Sequence, residues 1–496
     1  MTAPAINKVV IVGGGTAGWI TAAALAQRFG DLLEIVLVES EEIGTVGVGE
    51  ATFPSIHAFH RFLKLDEAAF MRATKATFKL GISFEDWGGL RDRYVHAFGT
   101  IGPATWAGDF QHYWLEAKAE GFGGELADYC VERKAANVGK FALSEKPKVN
   151  YAYHFDAGLY AAYLRQLSEP KGVKRIEGKI ARVEQNAESG FIEALVLESG
   201  ESVAGNFFVD CSGFRGLLIE QTLKAGFEDW GEWLRTDRAF AVQTPSASDI
   251  PPYTRAIARE AGWQWRIPLQ HRVGNGLVYS SHYMSEDEAR LTLLDNLDGE
   301  ALFEPRLLKF RAGRRLKAWD KNCVSIGLAS GFIEPLESTS IHLIQSGVTR
   351  LMQLFPFNGI HQALTDRYNA QSRTEFECIR DFIILHYKLT ERDDSAFWRD
   401  CRQIKIPDSL AQRIELFRET AVVYQTPEDM FNINSWLQVM IGQRVAPRSY
   451  QHLGRVLGAG QLRGALETFR SAVIAMVSQM PAHRDFLKSY CWAPNE

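Results

Sequence analysis

One segment near the N-terminus constrains the fold more than any other part of the chain. The apolar run Lys8–Val12 is followed by GGGTAG at 13–18, which fits G-x-G-x-x-G, and then by a helical pattern through about Phe29. A second apolar run at 34–38 ends at Glu39. In a βαβ unit of this kind, the glycines allow a tight turn and close approach to a pyrophosphate, and the acid bonds a ribose hydroxyl. The sequence therefore predicts an α/β fold with a dinucleotide site.

Later segments extend the same sheet. Buried strands that end in glycine recur at 206–216 and 322–332, and these returns favour FAD over NAD. Alternating apolar and polar residues at 173–208 predict an antiparallel meander, and the chain is mostly helical from about 370 onward. We predict a Rossmann-like FAD-binding core of the glutathione-reductase, flavin monooxygenase type, with an antiparallel sheet. Residues 1–345 would form this module, with substrate elements inserted near 77–115 and 230–320, and 346–496 a helical region covering the substrate site.

Composition narrows the functional class. The 496 residues are 46% hydrophobic and 23% charged with a net charge of −5, which is typical of a globular protein. No basic patch favours nucleic acid, no apolar stretch is long enough to span a bilayer, and no signal-peptide pattern precedes the first strand. We therefore expect a cytoplasmic protein without nucleic-acid or membrane partners. The six scattered cysteines lack a C-x-x-C pair, which favours buried thiols over a metal site or disulfides.

Four further segments each allow a structural and a functional interpretation. GTVGVGEATFPSI at 44–56 is a surface loop or a backbone lining for a cofactor, and WQWRIP at 263–268 is a core cluster or an aromatic wall whose proline should exclude it from a central sheet. GFIEPLESTSI at 331–341 is a helix cap or an anion-binding turn. TFKLGISFEDW at 77–87 alternates as one strand and places Lys79 on the face opposite its aromatic and aliphatic residues, where a lysine is usually solvated.

Together these motifs resemble the flavin-dependent tryptophan halogenase family. W-x-W-x-I-P is the specific segment, since ordinary flavin monooxygenases lack it. The resemblance covers about 1–345, and its segments appear in family order: Gly13-x-Gly15-x-x-Gly18-Trp19, Gly47-Val48-Gly49-Glu50-Ala51-Thr52, Lys79 in F-K-L-G, Trp263-x-Trp265-x-Ile267-Pro268 and Glu334-Pro335-Leu336-Glu337-Ser338-Thr339.

The resemblance implies FADH2-dependent halogenation with chloride or bromide. In the family, a separate NAD(P)H-dependent flavin reductase supplies FADH2, which reacts with O2 to a flavin hydroperoxide. Halide then gives hypohalous acid, which travels through a tunnel to a lysine beside the aromatic substrate. Lys79 stands at that lysine's position and Glu337 at that of the neighbouring glutamate, so both are predicted to be catalytic. The reductase would be a transient partner, and a homodimer stays open.

The resemblance also assigns binding residues. The halide is expected at Thr339 and Ser340; Ser340 replaces a glycine usual in the family, and from this we predict that bromide is favoured. The substrate and tunnel residues would be Trp263, Trp265, Ile267, Pro268 and Ser338, and Trp436 is added to them as an aromatic wall that the resemblance does not itself assign. The FAD contacts would be Gly13, Gly14, Gly15, Thr16, Ala17, Gly18, Glu39, Gly49, Glu50, Ala51, Val183, Leu328 and Ile341.

The C-terminal half departs from the family pattern. Tryptophan-specific members hold the amino acid's carboxylate and amine with a Tyr-Tyr pair and a glutamate–aromatic–Trp arrangement, and 429–443 shows no match, with Trp436 as its obvious aromatic wall. An indole-like or other electron-rich aromatic is therefore the expected substrate. An FAD-dependent aromatic hydroxylase and a non-catalytic flavin-binding relative remain as alternatives.

Overall fold

The computed structural model describes residues 5–43, 49–103, 108–146, 148–246 and 249–493. The helices within these ranges are α1 Thr16–Phe29, α2 Ile56–Leu63, α3 Glu67–Ala73, α4 Phe110–Ala119, α5 Val131–Asn137, α6 Ala157–Ser168, α7 Glu286–Asp295, α8 Ser340–Gln353, α9 Gln362–Lys388, α10 Ala396–Gln403, α11 Asp408–Thr420, α12 Ile433–Gly442, α13 Leu453–Leu457, α14 Ala459–Gln479 and α15 His483–Tyr490.

The strands of the same ranges are β1 Lys8–Val12, β2 Glu34–Glu39, β3 Glu50–Ala51, β4 Thr77–Lys79, β5 Gly81–Glu85, β6 Arg93–Ala97, β7 Ala152–Phe155, β8 Lys174–Glu177, β9 Ile180–Gln185, β10 Ile192–Leu197, β11 Ser202–Ala204, β12 Phe207–Asp210, β13 Phe227–Asp229, β14 Arg238–Pro245, β15 Thr254–Arg259, β16 Gly262–Pro268, β17 Arg272–Tyr279, β18 Arg306–Lys309, β19 Gly313–Arg315, β20 Trp319–Asp320, β21 Cys323–Ser325 and β22 Gly331–Phe332.

The described residues divide into two compact units, and each unit is assembled from three segments of the chain. The first takes its residues from Met1–Ala76, Phe155–Asp237 and Lys309–Glu377. The second takes them from Thr77–His154, Arg238–Leu308 and Cys378–Glu496. These boundaries do not follow the position 345 at which the sequence suggested a division.

The first unit contains the predicted Rossmann-like sheet. Its six strands follow the order β20-β21-β12-β1-β2-β8, and β1 pairs in parallel with both β2 and β12. The three strand-then-glycine segments of the sequence are therefore neighbours in one sheet, as predicted. β1 is apolar on both faces because helices cover one face and the meander the other: α1 packs against α6 and α8, and apolar residues of β1 and β2 contact those of β10.

The meander is shorter than the sequence suggested. β9, β10 and β11 form the expected antiparallel sheet. β8, which was assigned to the same meander, instead pairs in parallel with β2 and forms the edge of the six-stranded sheet. Its alternation of apolar and polar residues is that of an edge strand with one solvated face, so alternation did not separate the two sheets.

The second unit is built on a seven-stranded sheet with the order β18-β14-β17-β16-β15-β5-β6. The tryptophan segment is β16, the middle strand of β17-β16-β15, so the prediction that its proline excludes it from a central sheet is wrong. Pro268 is the last residue of β16, opposite Val273, where the strand ends and a missing N–H costs little. Its carbonyl accepts a hydrogen bond from the Thr77 hydroxyl at 2.7 Å.

The segment 77–87 is also organised differently from the prediction. It forms two strands in different sheets: β4 pairs with β7, whereas β5 pairs with β6 and β15. The chain changes sheets at Leu80, whose N–H donates to the carbonyl of Pro252 at 2.7 Å, and at Gly81, where a Cβ would lie 2.3 Å from the His96 carbonyl oxygen. All three residues of β4 are buried, so Lys79 is not the solvated residue that alternation suggested.

Two features of the whole chain complete the description. All six cysteines are free thiols, and Cys378 is the partly exposed one. In the ranges given above, no helix is both long enough and apolar enough to cross a bilayer.

Candidate active site

Close backbone contacts fix the glycine loop between β1 and α1. Gly13 has φ +108°, and a Cβ on it would lie 2.4 Å from the Cys211 carbonyl oxygen of the neighbouring strand end. A Cβ on Gly18 would lie 1.8 Å from the Gly13 carbonyl oxygen. Both positions therefore require glycine for packing within the protein itself, as the nucleotide-binding pattern predicts.

Gly15 differs from these two glycines. A Cβ built on Gly15 meets no atom of the residues that the structure describes within 4 Å, and its φ of −74° is one that any residue adopts. Gly15 is also the N-cap residue of α1, and no side chain caps this helix. The N-terminus of α1 thus has open space beside it and a partial positive charge, which is the arrangement that binds a pyrophosphate. This part of the chain fits an FAD phosphate.

Glu39 lies directly over the same loop. Its Oε2 is 1.3 Å from the position that a Cβ of Gly14 would take, so Gly14 leaves room for the carboxylate. Oε1 accepts a hydrogen bond from Nε of Arg175. The arginine orients the carboxylate while leaving Oε2 toward the loop, where the sequence predicted an acceptor for a ribose hydroxyl.

Other predicted FAD contacts lie in the same unit. Gly327, with φ +69°, brings the turn that contains Leu328 against the loop, since its Cβ would be 2.9 Å from that of Ala17. Ile341 is buried in the first turn of α8, which packs against α1. Val183 lies on β9 opposite Leu195 and packs against the apolar cluster between the meander and the β1–β2 face.

The GEAT segment adds a titratable group. Gly49 has φ +93°, and Glu50–Ala51 form the short strand β3; the Gly47 and Val48 of the predicted motif lie outside the described residues. Burial, with a smaller contribution from the negative charge of Asp156, raises the pKa of the Glu50 carboxyl to about 7. Glu50 therefore keeps its proton to a higher pH than an ordinary glutamate.

The ESTS segment forms a turn that can hold an anion. Glu337 is fully buried at the end of a 3-10 turn, and Ser338 follows in the left-handed region with φ +61°. Thr339 is the N-cap of α8, but its hydroxyl does not cap the helix and is buried without a hydrogen-bond partner among the described residues. An uncapped helix N-terminus beside an unused buried hydroxyl is an arrangement that can bind an anion, and the halide position at Thr339 and Ser340 stays a prediction.

Lys79 lies in the interior of the second unit. Its side chain has no exposure to solvent, and its Nζ is 5.1 Å from the ring centroid of Phe98, within cation–π range. Burial and the positive charge of Lys79 hold the pKa of His154 well below its usual range. The neighbouring imidazole is therefore neutral, and the ring of Phe98 lies on the ammonium.

The paired tryptophans lie side by side in β16, as period-two spacing predicts. The ring centroids of Trp263 and Trp265 are 6.1 Å apart with an interplanar angle of 58°. Trp265 packs over Gly276, where a Cβ would be 2.1 Å from its Cζ2. The indole N–H of Trp265 is buried and finds no acceptor in the described part of the chain. Ile267 is buried in the same strand.

Two aromatic residues, Phe98 at Lys79 and His96 next to Phe98, were missed in the sequence. Phe98 contacts the ammonium, and His96 lies 6.4 Å from Phe98 between ring centroids. His96 in turn lies 5.8 Å from Phe382, which makes an edge contact with Trp436 at 4.9 Å. The rings thus connect the predicted wall at Trp436 to Lys79. The alternation of RYVHAF at 93–98, which puts His96 and Phe98 two residues apart, was the available signal.

The geometry predicts opposite outcomes for two alanine substitutions in the glycine loop. Gly15→Ala should leave the free energy of unfolding unchanged within about 0.5 kcal/mol, because the methyl group enters open space. It should weaken FAD binding at least tenfold, because the methyl group occupies the position of the phosphate. Gly18→Ala should destabilise the protein itself through the contact with Gly13. Urea unfolding measures the stability of each variant, and a fluorescence titration measures its affinity for FAD. Gly460→Ala, which also places a methyl group in open space, is the control. Unchanged FAD affinity in Gly15→Ala would contradict the assignment.

Comparison with known proteins agrees with this geometry. The family model described as tryptophan halogenase matches residues 8–459. Tryptophan 6-halogenase SttH of Streptomyces toxytricini is 38% identical over 440 residues, which are 83% of this chain and 84% of the relative.

Solved structures extend the similarity over the whole length. Xcc4156, a flavin-dependent halogenase from Xanthomonas campestris, matches with a TM-score of 0.98 and 52% identity, covering 99% of this chain and 100% of that one. BrvH, a flavin-dependent halogenase from Brevundimonas sp. BAL3, matches with a TM-score of 0.94 and 45% identity, covering 99% of each chain. The chain therefore belongs to the tryptophan halogenase family and is a flavin-dependent halogenase.

Proposed function

We propose that this enzyme uses FADH2, O2 and a halide ion to halogenate indole-like aromatic substrates, and that hypohalous acid reaches the substrate under the control of Lys79. The observation that carries the proposal is the fully buried ammonium of Lys79 beside the ring of Phe98. A charge in such a place costs several kcal/mol unless other groups compensate, so a lysine there calls for a chemical reason. The family resemblance supplies one.

The chemistry divides between the cofactor and the chain. Reduced flavin, supplied by a separate reductase and bound at the α1 loop, provides the oxidising equivalent with O2. The ammonium of Lys79 donates a hydrogen bond that orients and polarises a neutral hypohalous acid, and its burial from solvent limits loss of this oxidant. Glu337, which is fully buried in the first unit, is proposed as the catalytic carboxylate.

The halide is proposed to bind at the N-terminus of α8. The unused Thr339 hydroxyl and the uncapped first turn of this helix support an anion there. Ser340, the first residue of α8, carries a side chain at the position where the family usually has glycine. We propose that this side chain favours bromide, which is more easily desolvated and oxidised than chloride.

The substrate is proposed to be a neutral indole rather than free tryptophan. A tryptophan substrate brings a carboxylate and an ammonium, and each charged group left unpaired costs about 1–3 kcal/mol. α12 lies within 429–443, and its buried residues next to Trp436 are Leu437, Val439 and Met440 together with Ser435 and Gln438. The one guanidinium that the described residues place on the Trp436 ring, that of Arg413, is already paired with Asp429. Tryptophan 6-halogenase SttH shares 38% identity with this chain, whereas Xcc4156 and BrvH, which are described as flavin-dependent halogenases with no substrate named, share 52% and 45%.

Lys79→Ala should abolish halogenation, with a loss on the order of 10²–10³-fold, while FAD binding and oxidation of FADH2 continue. The reason is that the lysine contacts the reacting oxidant and not the α1 loop. Product is measured by halogen isotope patterns in mass spectrometry, and flavin oxidation by absorbance. Lys488→Ala, at an exposed lysine of α15, is the control. Retained product, or loss of flavin oxidation, would contradict the assignment.

Bromide should be used faster than chloride at equal concentrations, and Ser340→Gly should raise chlorination relative to bromination several-fold. Ser340→Ala separates two causes, since it removes the hydroxyl but keeps the Cβ. If chlorination rises relative to bromination in both variants, the hydroxyl of Ser340 causes the preference. If it rises in Ser340→Gly alone, crowding by the Cβ causes it. The proposal fails if the unmodified enzyme chlorinates as fast as it brominates.

Indole should outcompete tryptophan when the enzyme, a flavin reductase, NADH, FAD and bromide are incubated with equal concentrations of both. Indole stacks on aromatic walls without leaving charges unpaired, and attack is expected at C3, its most electron-rich free carbon. Mass spectrometry identifies the products. Preferential halogenation of tryptophan at one benzo-ring carbon would show a clamp for its charged groups, and a hydroxylated product with no halogen would support the hydroxylase alternative.

A further inference from the structure

The strand of Lys79 shares one face with a buried histidine. In the antiparallel pair β4–β7, Thr77 lies opposite His154 and Lys79 lies opposite Ala152. Directly opposed residues project to the same side of a sheet, so Thr77, Lys79 and His154 occupy one face. All three are fully buried. The small side chain of Ala152 leaves room for the lysine next to the imidazole.

Hydrogen bonds around His154 have only one consistent direction. The Thr77 hydroxyl is 2.7 Å from the Pro268 carbonyl oxygen, which can only accept, so Thr77 donates its single proton there. The Nδ1 of His154 is 3.0 Å from the same hydroxyl oxygen and must therefore be the donor. The Nε2, at 2.9 Å from the Thr254 hydroxyl, is then the acceptor in a neutral ring. The three hydrogen bonds form a row in which each group donates to the next. The Thr254 hydroxyl donates to Nε2 of His154, Nδ1 of His154 donates to the Thr77 hydroxyl, and that hydroxyl donates to the Pro268 carbonyl.

A second histidine holds the next residue of the strand in the same way. The backbone N–H of Phe78 donates to Nε2 of His483 at 3.2 Å. The Nδ1 of His483 is 2.7 Å from the Ile250 carbonyl oxygen, so it donates and the ring is again the neutral Nδ1–H form. Burial lowers the pKa of His483 to about 4. Two neutral imidazole rings, those of His154 and His483, thus form hydrogen bonds to the consecutive strand residues Thr77 and Phe78.

We propose that His154 is a positioning residue for Lys79: as a neutral Nδ1–H imidazole, it fixes the lysine strand, through Thr77, against the end of the tryptophan segment at Pro268. The inference rests on the proposed role of Lys79. Burial, the positive charge of Lys79 and the proximity of His483 hold the pKa of His154 low. The imidazole therefore stays neutral near pH 7, and its hydrogen bonds keep their donor and acceptor directions.

Substitutions of His154 separate the two ends of this row of hydrogen bonds. His154→Asn keeps a donor near Nδ1 and the bond to Thr77, His154→Gln places its amide near Nε2 and keeps only the bond to Thr254, and His154→Leu removes both. The measured quantity is halogenated product per FADH2 oxidised. We expect about a tenfold to hundredfold loss in the Leu and Gln variants, because a displacement of about 1 Å at a reacting group has that effect, and substantial recovery in Asn. FADH2 oxidation and the thermal midpoint should hardly differ between Gln and Asn.

Thr77 provides the second pair of variants. Thr77→Val is isosteric and removes the hydroxyl, so it should reproduce the loss of product per FADH2, while Thr77→Ser should restore it. An external scavenger of hypohalous acid should capture in Thr77→Val what the substrate no longer receives. Equal yields in Val and Ser, or an Asn variant of His154 no better than the Leu variant, would overturn the proposal.

A measurement independent of activity completes the test. Nitrogen-15 spectra of histidine-labelled protein, with the His154 signal assigned from His154→Gln, should show the neutral Nδ1–H tautomer unchanged from pH 5.5 to 8.5. An Nε2–H tautomer or a protonated ring in this range would overturn the hydrogen-bond direction. If the tautomer is as expected but the unmodified enzyme halogenates neither indole nor tryptophan, the proposed function fails while the structural inference stands.

Discussion

The burial of one ammonium group governs the construction of the second unit. Removing a charge from water costs several kcal/mol even after relaxation, and Lys79 has no exposure to solvent. The surroundings reduce this cost in a consistent way: an aromatic face at 5.1 Å attracts the cation, and the imidazole beside it is kept neutral so that no second positive charge is added. Each neutral ring is fixed by acceptors and donors of the backbone or of threonines. The contacts that lower the cost of burying the Lys79 ammonium also fix its position.

A different constraint organises the first unit, where two helix N-termini are available to anions. α1 begins at the glycine loop and α8 begins at the ESTS turn, neither has a side-chain cap, and the two helices pack against each other. At α1 the open position is next to Gly15, and at α8 an unused threonine hydroxyl marks it. Partial positive charge at both ends suits a pyrophosphate and a halide, which are the two anions that the proposed reaction needs in proximity to the flavin.

Local sequence patterns predicted the parts of this structure that local interactions determine. The βαβ unit from Lys8 to Glu39 and its neighbouring strands follow from glycine spacing and apolar runs, and each is present. Errors arose where long-range packing decides. Alternation at 77–87 is compatible with one strand, but contacts of Leu80 and Gly81 with residues 252 and 96 redirect the chain. Pro268 was expected to exclude β16 from the sheet interior, yet a proline at a strand end leaves the remaining ladder intact. Trp436 was recognised as an aromatic, whereas the rings that connect it to Lys79 come from distant segments.

The hydrogen bond between Thr77 and Pro268 explains why two motifs that are far apart in the sequence behave as one. The F-K-L-G strand and the W-x-W-x-I-P strand are separated by 191 positions at this contact, and periodicity within either gives no sign of it. Proline offers a carbonyl but no N–H, so the terminal position of β16 can only accept, and its donor here is a hydroxyl of a strand in another sheet. Thr77 supplies that donor and thereby leaves its oxygen for the imidazole of His154. Any other residue at position 268 would offer the same carbonyl acceptor. Proline in addition restricts φ, and this limits the directions in which the carbonyl can point. The proline of the specific motif is thus part of the support of the lysine, in addition to ending the tryptophan strand.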